Sequence, residues 1–183
     1  MKTDARVLHT KATIREDFIS LLNDRPLNKI TVKSLCDKAK INRATFYRYY
    51  EDIYDLYEKT KDDFISAFLD AFFSMQTLTI ENKLKIFINE IKNNASLVYA
   101  LTKQNDSIDF TMKMCKRLYK HIENEFNSLF ADFSENQCTF AYTYIVSGCA
   151  GLIGMWANSG MKTSTDEIAS TLYKLIKNTL KIA

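Results

Sequence analysis

Two arginines and five tyrosines lie close together between Ser34 and Lys59, in the stretch SLCDKAKINRATFYRYYEDIYDLYEK. A guanidinium can pair with a phosphate or with the O6 and N7 atoms of guanine, and a phenol can donate a hydrogen bond to a phosphate oxygen. The methyl group of an alanine can contact the methyl group of thymine. Together these residue types are typical of a surface that binds double-stranded DNA.

Two short helices joined by a tight turn are predicted for residues 31–50. Thr31 and Asn42 are suited to cap them, because their side chains can accept hydrogen bonds from the backbone N–H groups of a first helical turn. The residues expected to face inward recur at helical spacing: Leu35, Ala39, Phe46 and Tyr50. This is the pattern of a helix-turn-helix, whose second helix enters the major groove.

The outward face of the second helix follows from its inward face. With Phe46 and Tyr50 buried, helical geometry turns four residues toward solvent: Arg43, Ala44, Tyr47 and Arg48. A helical hairpin whose aromatic residues only pack in a core shows a similar pattern, so the residues leave both interpretations open.

The rest of the chain predicts an all-α fold. The 183 residues contain one proline and four glycines, and apolar residues recur at helical spacing without alternating strand patterns. We predict about nine helices, at residues 10–23, 31–39, 43–49, 52–76, 80–93, 96–104, 107–131, 135–159 and 165–181. Capping boxes at Ser134-x-x-Gln137 and Ser164-x-x-Glu167, and Asp52 before the fourth helix, mark three of the starts.

Charge divides the chain into a basic head and an acidic body. Residues 1–50 contain 11 Lys or Arg and five Asp or Glu, whereas residues 51–183 contain 14 and 17. A basic head favours an anionic partner. We expect a helix-turn-helix domain at residues 1–51 and a helical bundle at residues 52–183, joined by the fourth helix.

A long stretch without charge, residues 136–161, has the length of a membrane span. Several Thr, Tyr, Ser and Asn residues interrupt its hydrophobicity, and neither flank has the basic cluster that orients a spanning helix. We therefore expect no membrane and interpret the stretch as a bundle or subunit-interface helix. Glycines cost a helix interior roughly 1 kcal/mol each, so the small residues predict close approach by a second copy: Ser147, Gly148, Gly151, Gly154 and Ala157. Packing of the glycines within one chain is the alternative.

Enzyme chemistry is not predicted. The two histidines, His9 and His121, lack metal-ligand spacing, and no nucleophile elbow or phosphate-binding glycine loop occurs. The four cysteines show no C-x-x-C spacing, which is typical of free thiols in a reducing cytoplasm. We expect no metal, no cofactor and a cytoplasmic location.

The run ITVKSLCDKAKINRATFYRYYEDIYDLYEK, preceded by ATIREDFISLLNDRPLNK, resembles the DNA-binding domain of the TetR/AcrR family of bacterial transcriptional regulators. The resemblance covers about residues 10–60. It implies contacts with operator DNA by residues on matching positions: Thr31, Arg43, Ala44, Thr45, Tyr47, Arg48 and Tyr49. Three positions depart from the family pattern: Lys40 replaces a usual glycine, Tyr49 a common histidine, and Ile53 a lysine that often touches phosphate. We expect the remaining tyrosines, Tyr54 and Tyr57, to pack at the junction between head and body.

The resemblance also implies how the body acts. It predicts a homodimer that binds a palindromic operator and a small-molecule effector that changes the spacing of the two heads. The candidate effector residues are Phe68, Phe72, Met112, Cys115 and Tyr119, although a plain hydrophobic core is the alternative for them. Repression is the expected mode. A regulator-like adaptor, or a co-activator that binds another protein in place of an operator, is the alternative function.

Overall fold

A computed structural model of the chain describes residues 5–74, 79–103, 113, 116–117, 119–120, 130 and 132–180. The helices are α1 (Ala5–Asp24), a 3₁₀ helix (Leu27–Lys29), α2 (Val32–Ala39), α3 (Arg43–Tyr47), α4 (Ile53–Ser74), α5 (Ile80–Asn93), α6 (Ala95–Lys103), α7 (Glu135–Asn158) and α8 (Thr165–Leu180). These described parts contain no strand, which confirms the predicted all-α fold. The helix predicted at residues 107–131 lies mostly outside them.

The predicted helix starts are made by side chains. The Thr31 hydroxyl accepts from the Ser34 N–H at 3.1 Å, and the Ser34 hydroxyl accepts from the Thr31 N–H in return. At α7, the Ser134 hydroxyl and the Gln137 side chain satisfy each other's backbone N–H groups in the same way. These bonds pair donors that a helix leaves without an intrahelical acceptor, so helix entry is fixed locally.

The chain divides into two compact units, Met1–Ser66 and Ala67–Ala183. This division falls within α4, so one helix contributes to both units. The predicted limits, 1–51 and 52–183, assign all of α4 to the second domain and stay a prediction.

The first unit has a core built on α1. Its apolar residues at helical spacing are fully or nearly fully buried: Ile14, Phe18, Leu21 and Leu22. The Phe18 ring meets the ring of Tyr57 edge-on at 6.4 Å between centroids, and Arg15 forms an ion pair with Asp63. Helix α1 therefore packs on the first half of α4.

Tyr54 contradicts the expectation that it packs at a junction. Its side chain is 56% exposed, whereas Tyr57 is 2% exposed inside the first unit. The two residues are three positions apart and differ by about 60° around the helix axis. That rotation is enough to carry Tyr54 off the buried side of α4.

In the second unit, α5 packs against α8 and α6 packs against α7. The buried positions of α5 include Leu84, Ile88 and Ile91. The Trp156 indole N–H donates to the Thr163 carbonyl at 2.9 Å. It closes the corner between α7 and α8, where Gly160 (φ 78°) and Met161 (φ 53°) take left-handed conformations.

Helix α7 is long and apolar enough to cross a membrane by length and composition, with a mean hydropathy of 1.4 over its most apolar window. Only 11% of that window is buried within the chain. The other residues of α7 are partly half-buried, such as Ile145 and Val146, and partly exposed, such as Tyr144.

Two leucines on α1 provide a matched test of this core. Leu22 is fully buried and Leu8 is 57% exposed. Leu22→Ala should lower the free energy of unfolding by about 2–5 kcal/mol, because it leaves a cavity. Leu8→Ala should change it by less than about 0.5 kcal/mol. Urea denaturation followed by circular dichroism measures both, and equal effects would contradict the packing of α1.

Candidate nucleic-acid interface

Helix α3 is short and is held from both ends. At its start the Asn42 side-chain oxygen accepts from the Thr45 N–H at 2.7 Å and from the Thr45 hydroxyl at 2.8 Å. Toward its end Phe46 is fully buried and Tyr50 is 6% exposed, with their ring centroids 5.6 Å apart. One side of the helix is therefore fixed to the first unit.

The opposite side of α3 is open to solvent. Four residues are exposed on this side, as expected from the inward direction of Phe46 and Tyr50: Arg43, Ala44, Tyr47 and Arg48. Tyr47 is 56% exposed, while Thr45 and Tyr49 are half-buried. Thr31, at the start of α2, is also exposed. We call these four residues, three in α3 and Arg48 directly after it, the reading face.

The turn between α2 and α3 depends on Lys40. Its backbone is left-handed (φ 53°, ψ 41°), and its N–H donates to the Cys36 carbonyl. The Ile41 N–H donates to the same carbonyl at 3.1 Å. Such a conformation costs an L-residue roughly 1–2 kcal/mol, which explains why glycine suits this position.

Two carboxylates at the start of α4 accept hydrogen bonds from the backbone N–H groups there. Asp52 accepts from the Asp55 N–H at 2.8 Å, and Asp55 accepts from the Glu51 N–H at 2.9 Å. Ile53 is 5% exposed, so the residue in the place of the family's lysine points into the core. The N–H groups of Glu51 and Asp55 are therefore already occupied by carboxylates.

Lys59 connects this helix start to the end of α3. Its Nζ lies 2.8 Å from Asp55 Oδ2, donates to the Tyr49 carbonyl at 3.3 Å, and lies 5.5 Å from the centre of the Tyr50 ring. The hydrogen bond from Lys59, followed by that from the Glu51 N–H, lowers the pKa of Asp55 from its ordinary value. The carboxylate therefore stays ionised and paired at neutral pH.

Helix α1 also reaches the segment that follows α3. Lys11, exposed on α1, lies 5.5 Å from the centre of the Tyr49 ring. An ammonium at this distance from an aromatic face is within range of a cation–π contact. It places one more cation beside the half-buried Tyr49.

The residues predicted for a subunit interface are not all on one side of α7. Ser147, Gly148 and Gly151 are exposed, Gly154 is half-buried, and Ala157 is 3% exposed. A methyl group added at Gly148, Gly151 or Gly154 would meet nothing within 4 Å. There is therefore open space at the Cβ position of each of these glycines.

Three large side chains complete the open side of α7 and were not predicted. Phe140 is 71% exposed, Tyr144 73% and Met155 69%. At 100° per residue, they share a sector of roughly 100° with the exposed small residues: Ser147, Gly148 and Gly151. We call these six residues the open stripe. Their spacing of three and four residues was the only sequence signal that they share one side of the helix. It could not show that this side is exposed, because Tyr142, which lies between Phe140 and Tyr144 in an equally apolar segment, is buried.

The predicted effector residues belong to aromatic groups in the second unit. The Phe68 ring lies 4.3 Å from the ring of Phe87 and 5.8 Å from that of Phe72. Tyr119 packs on Tyr142 at 4.5 Å between ring centroids. The other two, Met112 and Cys115, lie outside the described residues. Among the residues that the structure does describe, no group of three His, Cys, Asp or Glu could hold a metal ion.

Comparison with known proteins adds a family assignment. The family model for the C-terminal region of TetR transcriptional regulators matches residues 78–178. The uncharacterized HTH-type transcriptional regulator YxbF of Bacillus subtilis (strain 168) is 39% identical over 77 residues, or 40% of this chain and 20% of that protein. The matched segment thus spans about a fifth of the length of that relative.

Solved structures of similar architecture cover nearly the whole chain. A TetR transcriptional regulator from Streptococcus agalactiae 2603V is 22% identical, with a TM-score of 0.68 over 94% of this chain and 96% of that one. The fatty acid degradation regulator FadR of Bacillus halodurans is 17% identical, with a TM-score of 0.69 over 98% and 97%. At these identities the likeness establishes the fold alone.

Two glycine substitutions in and before the turn that precedes α3 should change the free energy of unfolding in opposite directions. Lys40→Gly should raise the free energy of unfolding by about 1 kcal/mol, because it relieves a left-handed L-residue. Lys38→Gly, within α2, should lower it by up to about 1 kcal/mol, because glycine weakens a helix. Urea denaturation compares them. Destabilisation by Lys40→Gly would refute the left-handed turn.

Proposed function

The chain belongs to the TetR family of transcriptional regulators, and from this premise we propose that it is a repressor that binds a palindromic operator as a homodimer. The observation that carries the DNA-binding part is the reading face. Two guanidiniums, a methyl group and a phenol are exposed on one side of a helix whose other side is held by buried Phe46.

In the proposed complex the reading face enters the major groove. Arg43 stands at the start of α3, where a recognition helix meets the base edges, so it pairs with guanine or with an adjacent phosphate. Ala44 contacts a thymine methyl, and Tyr47 donates to a phosphate oxygen. The half-buried Thr45 and Tyr49 flank these contacts. Thr31, at the start of α2, receives a phosphate of the neighbouring backbone.

The acidic start of α4 limits where phosphates bind. Asp52 and Asp55 already accept the nearby N–H groups, and Ile53 supplies no charge. The backbone contacts in the proposed complex therefore come from α2 and α3, with Lys11 of α1 on the same flank. Because the start of α4 contributes no phosphate contact, the complex has fewer such contacts than one with a cation at position 53. We therefore expect affinity to depend moderately on salt concentration.

The open stripe supports the homodimer. In an antiparallel crossing of two α7 helices centred between Ser147 and Gly148, Tyr144 of one copy lies opposite Gly151 of the other, and Phe140 lies opposite Met155. Each large side chain on the stripe thus meets a complementary position, as an isologous interface requires. The open space at the glycines is what close approach of a second helix needs.

The remaining parts of the proposal concern the effector, the domains and the location. A small-molecule effector binds in the second domain, near Phe68 and Phe72, and favours one spacing of the two heads. It can shift the balance between the two spacings by no more than the difference in its affinity for them. The DNA-binding domain spans residues 1–51 and the effector and dimerisation domain residues 52–183. The proposed location is the cytoplasm.

Replacing Arg43 tests operator binding. In electrophoretic mobility shifts with the DNA upstream of the protein's own gene, Arg43→Ala should weaken binding by about 1–3 kcal/mol, because a base contact is lost. Tyr47→Ala should also weaken it. Arg25→Ala, an exposed arginine off the reading face, is the matched control. Absence of any shift at low salt, with the dimer intact, would favour the adaptor alternative.

Replacing Tyr144 tests the dimer independently. Tyr144→Glu should shift the chain toward monomer in sedimentation velocity, because it places an unpaired carboxylate in a desolvated contact. Thr139→Glu puts the same charge on an exposed position of α7 outside the open stripe and should leave the dimer unchanged. A wild-type mass of one chain at every concentration would refute this part of the proposal.

A further inference from the structure

We propose that Lys59 is a positioning residue for the recognition helix, which it ties to α4 so that the reading face keeps its orientation. The inference rests on the proposed operator binding. Lys59 lies outside the reading face, on the second turn of α4.

Lys59 meets the segment after α3 at consecutive residues. Its Nζ donates to the carbonyl of Tyr49 at 3.3 Å and lies 5.5 Å from the centre of the Tyr50 ring. Its ion-pair partner, Asp55 Oδ2, accepts from the N–H of Glu51 at 2.9 Å. Three of the five residues between α3 and α4 are therefore held by one cation and its carboxylate: Tyr49, Tyr50 and Glu51.

This arrangement suits the end of a helix. Backbone carbonyls at a C-terminus carry partial negative charge and favour a cation. Helix α3 ends at Tyr47, and the N–H groups of Tyr49 and Tyr50 both donate to the Phe46 carbonyl. The Tyr49 carbonyl thus belongs to the turn that follows the helix, and Lys59 fixes it from the side of α4.

Burial alone does not hold Lys59 in place. Its side chain is 51% exposed and that of Asp55 is 23% exposed. The geometry comes from three directed contacts, so substitution should change the position of the turn more than the stability of the core. Because the cation is paired with Asp55, it is also poorly suited to neutralise a phosphate.

The test separates positioning from direct contact. The probes are a duplex that the wild-type protein selects from a random-sequence pool and an unrelated duplex of equal length. Lys59→Met keeps the length of the side chain but removes its hydrogen bonds and charge. It should weaken binding to the selected duplex about tenfold, with little change for the unrelated duplex. Lys59→Arg should restore most of the loss, and Lys38→Met, an exposed lysine on α2, should have no such effect.

A second measurement does not depend on DNA. Amide hydrogen exchange of residues 46–50 should accelerate in Lys59→Met and remain slow in Lys59→Arg. Asp55→Asn, which keeps an acceptor for the Glu51 N–H, should give an intermediate rate. This milder variant preserves the test if Lys59→Met proves unstable by circular dichroism.

Three outcomes would overturn the inference. Equal losses on both duplexes would show that Lys59 contacts phosphate directly. Unchanged exchange in Lys59→Met and Asp55→Asn would show that the turn does not depend on it. Exchange that accelerates without any loss of selectivity would show that the turn does not set the reading face. If the wild-type protein selects no duplex, the proposed operator binding fails, while the exchange data still decide whether Lys59 holds the turn.

Discussion

Burial of Phe46 holds α3 in place, because a helix of five residues does not persist in water without tertiary contacts. Its ring is completely buried, and the Asn42 cap and the Lys59 contacts fix the two ends of the same short segment. The Tyr47 ring contacts the Phe46 ring edge-on at 5.5 Å between centroids, yet 56% of the Tyr47 side chain is exposed, and Arg43 and Arg48 are exposed beside it. Packing is therefore concentrated on one side of these few residues, and the proposed DNA contacts lie on the other side.

Helix α7 shows a second division of roles. Tyr142 and Trp156 are buried in the chain, whereas the six residues of the open stripe are exposed. Glycine weakens a helix by about 1 kcal/mol relative to alanine, and the space beside Gly148 and Gly151 would accept a methyl group. The packing of the described chain gives no reason for these glycines. A close contact with a second copy gives one, which is why the proposed dimer rests on them.

The parts of the fold that depend on neighbouring residues could be predicted from the sequence. Caps at Thr31 and Asn42 need only a short polar side chain and the next turn of the helix, and the apolar spacing around Phe18 identifies the buried side of α1. The inward direction of Phe46 similarly fixed the outward direction of Arg43. This much of the candidate site follows from helix geometry alone.

The parts that depend on how one helix meets another could not be predicted. Tyr54 and Tyr57 have the same side chain, and only the rotation of α4 decides that the first is exposed and the second buried. Phe140 and Tyr142 differ in the same way on α7. In a helix that is apolar on all sides, periodicity does not distinguish the side that meets its own chain from the side left open.

The direction of Ile53 bears on protein engineering. Consensus substitutions often stabilise proteins because they restore residues that suit a shared backbone. A lysine installed at this 5% exposed position would have to carry its ammonium past packed neighbours or lose its hydration. Chimeras that exchange heads between related proteins should therefore transfer residues 49–59 as one block, so that the loop, its carboxylates and its lysine stay together.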